Sequence, residues 1–176
     1  VASLAIALAI LVGHGDARGF GDGGRPYQLA DMKMFNLVIL NIKDNYLDQK
    51  RVDPREMLSA SLNYVERMVP EVIITEAADK KTIMVQVGEH RQEFPVAEVG
   101  TILEMAFKLK DIFTFVQGSL TGSIDVRDIE YAAINGMLST LDPHSFFLKP
   151  ESYKEIKTST KGKFGGLGIQ IQARDG

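Results

Sequence analysis

The clearest hydrophobic pattern in the chain is a helical seam within residues 28–48. Its members are spaced by three and four residues, as on one face of an α-helix: Met32, Phe35, Ile39, Ile42 and Tyr46. Further apolar residues lie outside this seam: Met34, Leu37, Val38 and Leu40. A helix that is apolar on more than one face is either buried in its own domain or shared with a second copy. The seam therefore predicts a core contact or a homodimer contact through N-terminal helices.

Three further stretches are predicted to be helical. One begins after Asp53, a favourable N-cap that is followed by proline, and Pro70 ends it. Apolar residues recur at helical spacing over 99–116 and again over 126–141. These patterns predict a mostly helical region over residues 28–160.

The helix predicted at 126–141 has a glycine in its middle. Its first residues also resemble those of the helix predicted after Asp53. Gly136 costs about 1 kcal/mol relative to alanine in a helix, and a second backbone packed closely against it would explain its presence. At an offset of 72 positions, four residues match four earlier ones: Asp125, Arg127, Ala132 and Asn135 correspond to Asp53, Arg55, Ala60 and Asn63. Both a duplicated helix and ordinary helix-start chemistry account for this repeat.

One segment breaks the helical pattern. Residues 82–87 are rich in β-branched and apolar side chains, residues 88–90 suit a turn, and residues 91–96 can return as a second strand. We therefore predict a mostly α fold with a small β-hairpin near 82–96.

The first residues have the character of an export signal. Residues 1–12 are apolar except for one serine, which is too short for a membrane-spanning helix of about 20 residues but suits the apolar part of a secretory signal. We assign residues 1–17 to this signal and residues 18–27 to a glycine-rich linker. A buried core helix and an uncleaved anchor are the alternatives. Export to the periplasm, or attachment to the outer face of a bacterial inner membrane, is the expected location.

Composition narrows the function classes. The 176 residues carry 20 lysines and arginines against 23 aspartates and glutamates, so there is no basic excess for binding nucleic acid. The absence of cysteine excludes disulfides, thiolate zinc sites and a cysteine nucleophile. The three histidines are scattered, and we predict neither a metal site nor a cofactor.

The strongest local signal for function lies near the end of the sequence. Residues 164–168 read Phe-Gly-Gly-Leu-Gly, and an alternating strand follows at 169–171. Such a glycine turn can present successive backbone N–H groups to an anion, and the strand can pair with an extended peptide. Together they suit a peptide with a free C-terminal carboxylate, although the glycine turn taken alone is more typical of a plain strand connection. A phosphate-binding loop would have the strand before the glycines and the helix after them.

A longer set of motifs resembles the carboxy-terminal processing peptidases, also called tail-specific proteases. The resemblance lies in residues 133–138, in Leu-Asp-Pro-His-Ser at 141–145, in Tyr-Lys-Glu at 153–155 and in the run 164–169. A looser similarity is seen at Tyr46 and at Val52-Asp53-Pro54. The resemblance implies serine peptidases with a Ser/Lys dyad and an embedded PDZ domain. Residues 71–116 are longer than the resemblance leads one to expect between two helical parts.

The resemblance also implies that peptide binding and catalysis belong to different segments. Residues 161–176 would begin a PDZ-like domain, in which Gly166, Leu167, Gly168 and Ile169 would bind the carboxylate of a substrate's C-terminal tail. The family's dyad lies further downstream, so we expect no catalytic residue and no peptidase activity in this chain alone. The alternative is a non-catalytic exported peptide-binding or scaffold protein with a PDZ-like module.

Overall fold

The computed structural model describes residues 26–46 and 48–160, which form a helical body with one small sheet. The elements are α1 (Lys33–Asn45), α2 (Pro54–Met68), β1 (Val72–Glu76), β2 (Thr82–Val87), β3 (His90–Pro95), α3 (Ile102–Ser119), α4 (Val126–Ser139) and α5 (Pro150–Thr160). Two short 3-10 turns, Leu29–Asp31 and Gln49–Arg51, precede α1 and α2. The predicted fold class, mostly α with a small β-hairpin, is confirmed.

The first helix is shorter than the predicted segment 28–48. Met32 adopts a left-handed backbone conformation with φ of 47°, so the 3-10 turn and α1 are separate elements. A periodicity argument cannot detect this break, because Met32 still places its side chain in the core. The helix therefore begins at Lys33 with no side-chain cap from Met32.

The helix starts follow ordinary capping chemistry. The side chain of Asp53 accepts hydrogen bonds from the N–H groups of Arg55 and Glu56, and Asp125 accepts from that of Arg127. Asp53 was predicted as a cap, and Asp125 occupies the matching position of the repeat. The complete capping box of the described chain lies at α3, between Thr101 and Glu104.

The sheet contains the predicted hairpin and one strand more. Its order is β1-β2-β3, and both pairings are antiparallel. Gly88 forms the turn of the β2–β3 hairpin with φ of 57°. The sheet turns one apolar face to the core, and its buried members are Val72, Ile83, Val85, Val87 and Phe94. Strand β1 was not predicted, because its side chains are mostly exposed and show no clean alternation.

The helices α2 and α4 cross at Gly136 with direct backbone contact. A Cβ on Gly136 would clash with the carbonyl oxygen of Ala60 and would lie 2.8 Å from the Cα of Ser61. The predicted reason for this glycine, close packing of another backbone, is therefore confirmed. Buried side chains of α1, α3 and the sheet join those of this helix pair in one core. No helix in the described ranges has the length and apolar character to cross a membrane.

We predict that Gly136→Ala destabilises the fold although alanine is the better helix former. The clash at Ala60 should cost about 1–3 kcal/mol or more, which outweighs the gain of about 1 kcal/mol in helix propensity. Gly118→Ala in α3 is the matched control, because a Cβ there meets nothing within 4 Å. It should be neutral or stabilising. Urea unfolding of both variants checks this, and equal effects at the two sites would contradict the close crossing.

Candidate functional site

The segment that follows α4 is a turn organised by Asp142. Its Oδ1 accepts a hydrogen bond from the N–H of His144 at 2.8 Å, and its Oδ2 accepts one from the hydroxyl of Ser145 at 2.6 Å. The hydroxyl of Tyr46 donates to the carbonyl of Leu141 at 3.1 Å, which joins the end of α1 to this turn. The Asp-Pro-His-Ser motif is therefore a hydrogen-bonded turn, with the aspartate as its acceptor.

The ionisation of Asp142 fits this structural role. Burial works against its charge, but the hydrogen bonds from Ser145 and His144 outweigh that effect and hold the pKa of Asp142 below its usual value. Burial and the negative charge of Asp142 raise the pKa of Tyr46. Asp142 is thus a charged acceptor at neutral pH, and a carboxyl of lowered pKa is poorly suited to proton abstraction.

Asn135 on α4 fixes the far side of the turn. Its Oδ1 accepts from the N–H of Phe147 at 2.7 Å, and its Nδ2 donates to the carbonyls of Phe147 at 3.3 Å and Tyr131 at 3.1 Å. The rings of Tyr131 and Phe147 lie 5.1 Å apart. In the sequence Asn135 was noted as part of the repeat and of the run 133–138 that carries the family resemblance. The available signal for these hydrogen bonds was a polar amide at a partly buried position of a helix.

A groove of about 590 Å³ lies between α2, α4 and this turn. Its walls carry the aromatic rings of Tyr64, Tyr131 and Phe146, the last of which is 53% exposed. The ammonium of Lys149 and the carboxylate of Asp128 form an ion pair of 2.5 Å at its edge. The groove therefore offers aromatic surface, while the polar groups of the turn already bond to one another.

The hydroxyls and the lysine around the groove do not form a nucleophile and base. Ser139 donates to the carbonyl of Gly136 at 2.7 Å, Ser145 donates to Asp142, and Lys149 binds Asp128. Catalysis by a serine requires a base within hydrogen-bond reach of its hydroxyl. No such pair is formed by these residues. The described ranges also hold no cluster of three or more histidine, aspartate or glutamate side chains that could bind a metal.

A second polar centre lies inside the fold, where Glu130 of α4 meets the start of α1. Glu130 is fully buried. Its Oε1 accepts from the N–H of Phe35 at 2.8 Å, and its other oxygen accepts from the hydroxyl of Tyr27. The free N–H groups at a helix N-terminus favour a negative charge. Glu130 therefore supplies the cap that Met32 does not give to α1.

Burial sets the ionisation of this centre. The loss of solvent raises the pKa of Glu130, although the hydrogen bonds from Tyr27 and from the N–H groups of Phe35 and Met34 oppose the shift. Burial and the adjacent carboxylate also raise the pKa of Tyr27. Sequence reasoning missed the centre, because the two groups lie 103 positions apart and Glu130 occurs in a stretch that reads as an ordinary helix.

The other residues singled out in the sequence occupy different places. The seam side chains of Met32, Phe35, Ile39 and Ile42 are each at most 2% exposed within this chain, and Tyr46 is partly buried. The exposed apolar residues of α1 are instead Leu37 and Leu40. The predicted carboxylate-binding residues Gly166, Leu167, Gly168 and Ile169 lie outside the described residues.

Comparison with known proteins connects part of the chain to one group of enzymes. A carboxy-terminal-processing protease of Bartonella bacilliformis is 42% identical over 74 residues, which are 42% of this chain and 17% of that protein. A carboxyl-terminal-processing protease of Picosynechococcus sp. is 41% identical over 56 residues, or 31% of this chain and 14% of that protein. The carboxy-terminal processing protease CtpB of Bacillus subtilis is 29% identical over 70 residues, or 39% of this chain and 15% of that protein.

These alignments support a relationship to proteases of that name. The aligned part covers less than a fifth of each of these relatives. No family profile matches the chain, and no solved structure matches it. The relationship is therefore one of shared sequence over part of the chain.

We predict that Glu130 makes stability depend on pH in a direction opposite to that of a salt-bridged acid. Because its pKa is raised on folding, the folded state binds more protons than the unfolded state above about pH 4.3. The free energy of unfolding should therefore fall, relative to that of Glu130→Gln, as the pH rises from that value to the raised folded pKa. Urea unfolding of both proteins across this range provides the measurement. A relative rise with pH would contradict the assignment.

We predict that removing the hydrogen-bond acceptor of Glu130 lowers the free energy of unfolding more than removing its charge does. Glu130→Ala leaves the N–H of Phe35 and the hydroxyl of Tyr27 without a buried acceptor, which should destabilise the fold by about 3 kcal/mol. Glu130→Gln keeps an acceptor for Phe35 and serves as the matched control. Equal stability of the two variants at low pH would show that the cap is dispensable.

Proposed function

We propose that this chain is the N-terminal part of an exported serine endopeptidase that recognises the C-terminal tails of its substrates. The observation that carries the proposal is the glycine segment 164–169, found in a chain that shares sequence with carboxy-terminal-processing proteases. The segment has the order that a carboxylate-binding turn needs, with successive backbone N–H groups followed directly by a strand.

In the proposed complex, the substrate binds through its free terminus. The N–H groups of residues 166–169 donate to the terminal carboxylate, and the strand from Ile169 to Ile171 pairs with the residues before it. Gly168 is required because a side chain there would crowd the carboxylate or strain the turn. Ile169 and Ile171 share one face of the strand and pack into the domain core, while Gln170 faces the opposite side.

The chemical step is acyl transfer. A lysine of the family's dyad removes the proton of the serine hydroxyl, and the serine oxygen then attacks the scissile carbonyl while backbone N–H groups stabilise the resulting oxyanion. We assign neither group to a residue of this chain. Residues 1–17 direct the protein out of the cytoplasm in this proposal.

The binding step is tested with two peptides that differ only at the C-terminus, one a free acid and the other an amide. The full-length protein should bind the free acid at least tenfold more tightly, because amidation removes a charge-assisted hydrogen bond worth about 1.5–3 kcal/mol. Gly168→Val should weaken the free acid and leave the amide almost unchanged. Isothermal titration calorimetry gives both affinities.

Gly118→Ala, far from the glycine segment in sequence and with open space at its Cβ, serves as the control variant. Equal affinity of the unaltered protein for the two peptides would exclude the carboxylate role. Carboxylate-dependent binding without cleavage of an unstructured substrate would instead indicate a peptide-binding protein that is not a peptidase.

A further inference from the structure

The two edges of the sheet differ in how their backbone groups are used. On β1, the N–H of Ile74 donates to Oε1 of Glu66 at 2.9 Å, and that of Val72 donates to the carbonyl of Val69 at 2.9 Å. On β3, the outward N–H groups of Arg91 and Glu93 donate to no residue in the ranges 26–46 and 48–160. Two outward N–H groups of β1 are therefore bonded within the chain, whereas those of Arg91 and Glu93 on β3 are open to a further strand.

The register determines which groups of β3 point outward. The N–H of Val96 donates to the carbonyl of Lys81 at 2.8 Å, and the residue pairs continue as Phe94 with Ile83 and Gln92 with Val85. Hydrogen-bonded pairs alternate along an antiparallel ladder, so Phe94 and Gln92 bond to β2. Arg91 and Glu93 then direct both their N–H and C=O groups away from the sheet.

Strand β3 is complementary to itself. When a second β3 runs antiparallel to it with the two Gln92 residues opposite each other, Arg91 lies opposite Glu93 of the partner subunit, and the reverse pair follows by symmetry. Arg91 and Glu93 of both copies point their backbone groups outward, so the two pairs form four N–H···O=C bonds. Charges along an edge ordinarily deter pairing, but here each charge meets its opposite.

The side chains that such a pairing needs are available. His90, Arg91, Gln92 and Glu93 are all exposed, and neither Arg91 nor Glu93 has an ion-pair partner among the described residues. The same register places His90 of the partner subunit opposite Phe94. Phe94 lies beside a groove of about 470 Å³, and its ring meets that of Phe115 at a centroid distance of 5.9 Å. The second copy would thus also cover apolar surface.

We propose that β3 pairs with β3 of a second copy, which joins the two three-stranded sheets into one sheet of six strands across a two-fold axis. The alternative contact through the seam of α1 would require side chains that are already buried in the chain's own core. Only Leu37 and Leu40 remain exposed and apolar on that helix. Pro95 has no N–H, so the series of outward N–H groups on β3 ends before it. The dimer is therefore held by few hydrogen bonds, and the dimeric fraction depends on protein concentration.

Charge exchange at the paired positions tests the proposal. Sedimentation equilibrium of the full chain over a range of concentrations should show a monomer–dimer equilibrium. Arg91→Glu and Glu93→Arg should each weaken dimerisation roughly tenfold or more, because each places like charges opposite each other twice. The double variant Arg91→Glu/Glu93→Arg should restore the original dissociation constant. Arg91→Pro removes the outward N–H together with the charged side chain but no hydrogen bond to β2, and it should also weaken the dimer, with circular dichroism as the check on folding.

Three results would overturn the proposal. The first is a monomer at every concentration. The second is a dimer that both single charge changes leave intact but that Leu37→Asp with Leu40→Asp dissociates, which would place the contact on α1. The third is weakening by the single changes without recovery in the double variant, which would exclude the register with Gln92 at the axis.

Discussion

The contact between α2 and α4 at Gly136 is the constraint on which the described fold depends. With no side chain at this position, the backbone of α4 lies directly against Ala60 and Ser61. This approach leaves the other faces of α4 free to meet two separate parts of the chain. Glu130 reaches the N-terminus of α1, and Asn135 holds the turn that follows the helix. One close helix crossing thus sets the position of α1, the groove and the turn.

Sequence patterns predicted the local features of this arrangement and missed the long-range ones. The caps Asp53 and Asp125 and the packing role of Gly136 follow from rules that involve a few neighbouring residues. The burial of Glu130 does not, because its partners come from the other end of the chain. The break at Met32 was missed for a related reason. An external carboxylate caps α1 there, so the local sequence carries no capping signal.

The residues that stabilise the fold also differ from those proposed to carry the function. Within the Asp-Pro-His-Ser turn, Asp142 and Ser145 bond to groups of the turn itself, so their chemistry stabilises the fold. The proposed recognition of a peptide rests on a different part of the chain, the glycine segment 164–169. Residues 71–116 form a longer segment than the family resemblance leads one to expect. Most of this segment forms the sheet and α3. Yet α2 and α4 pack directly against each other. The sheet lies beside this helix pair and shares one core with it.

The most direct test of the central contact is a nuclear Overhauser measurement in solution. The close crossing predicts strong cross-peaks between the α-protons of Gly136 and the α-proton of Ser61, since a Cβ on Gly136 would lie only 2.8 Å from the Cα of Ser61. Gly118, where a Cβ would meet nothing within 4 Å, provides the reference and should show only cross-peaks to its own helix and chain neighbours. Strong cross-peaks between Gly136 and Ser61 would establish backbone contact between α2 and α4. Their absence, with the peaks of both residues assigned, would contradict it.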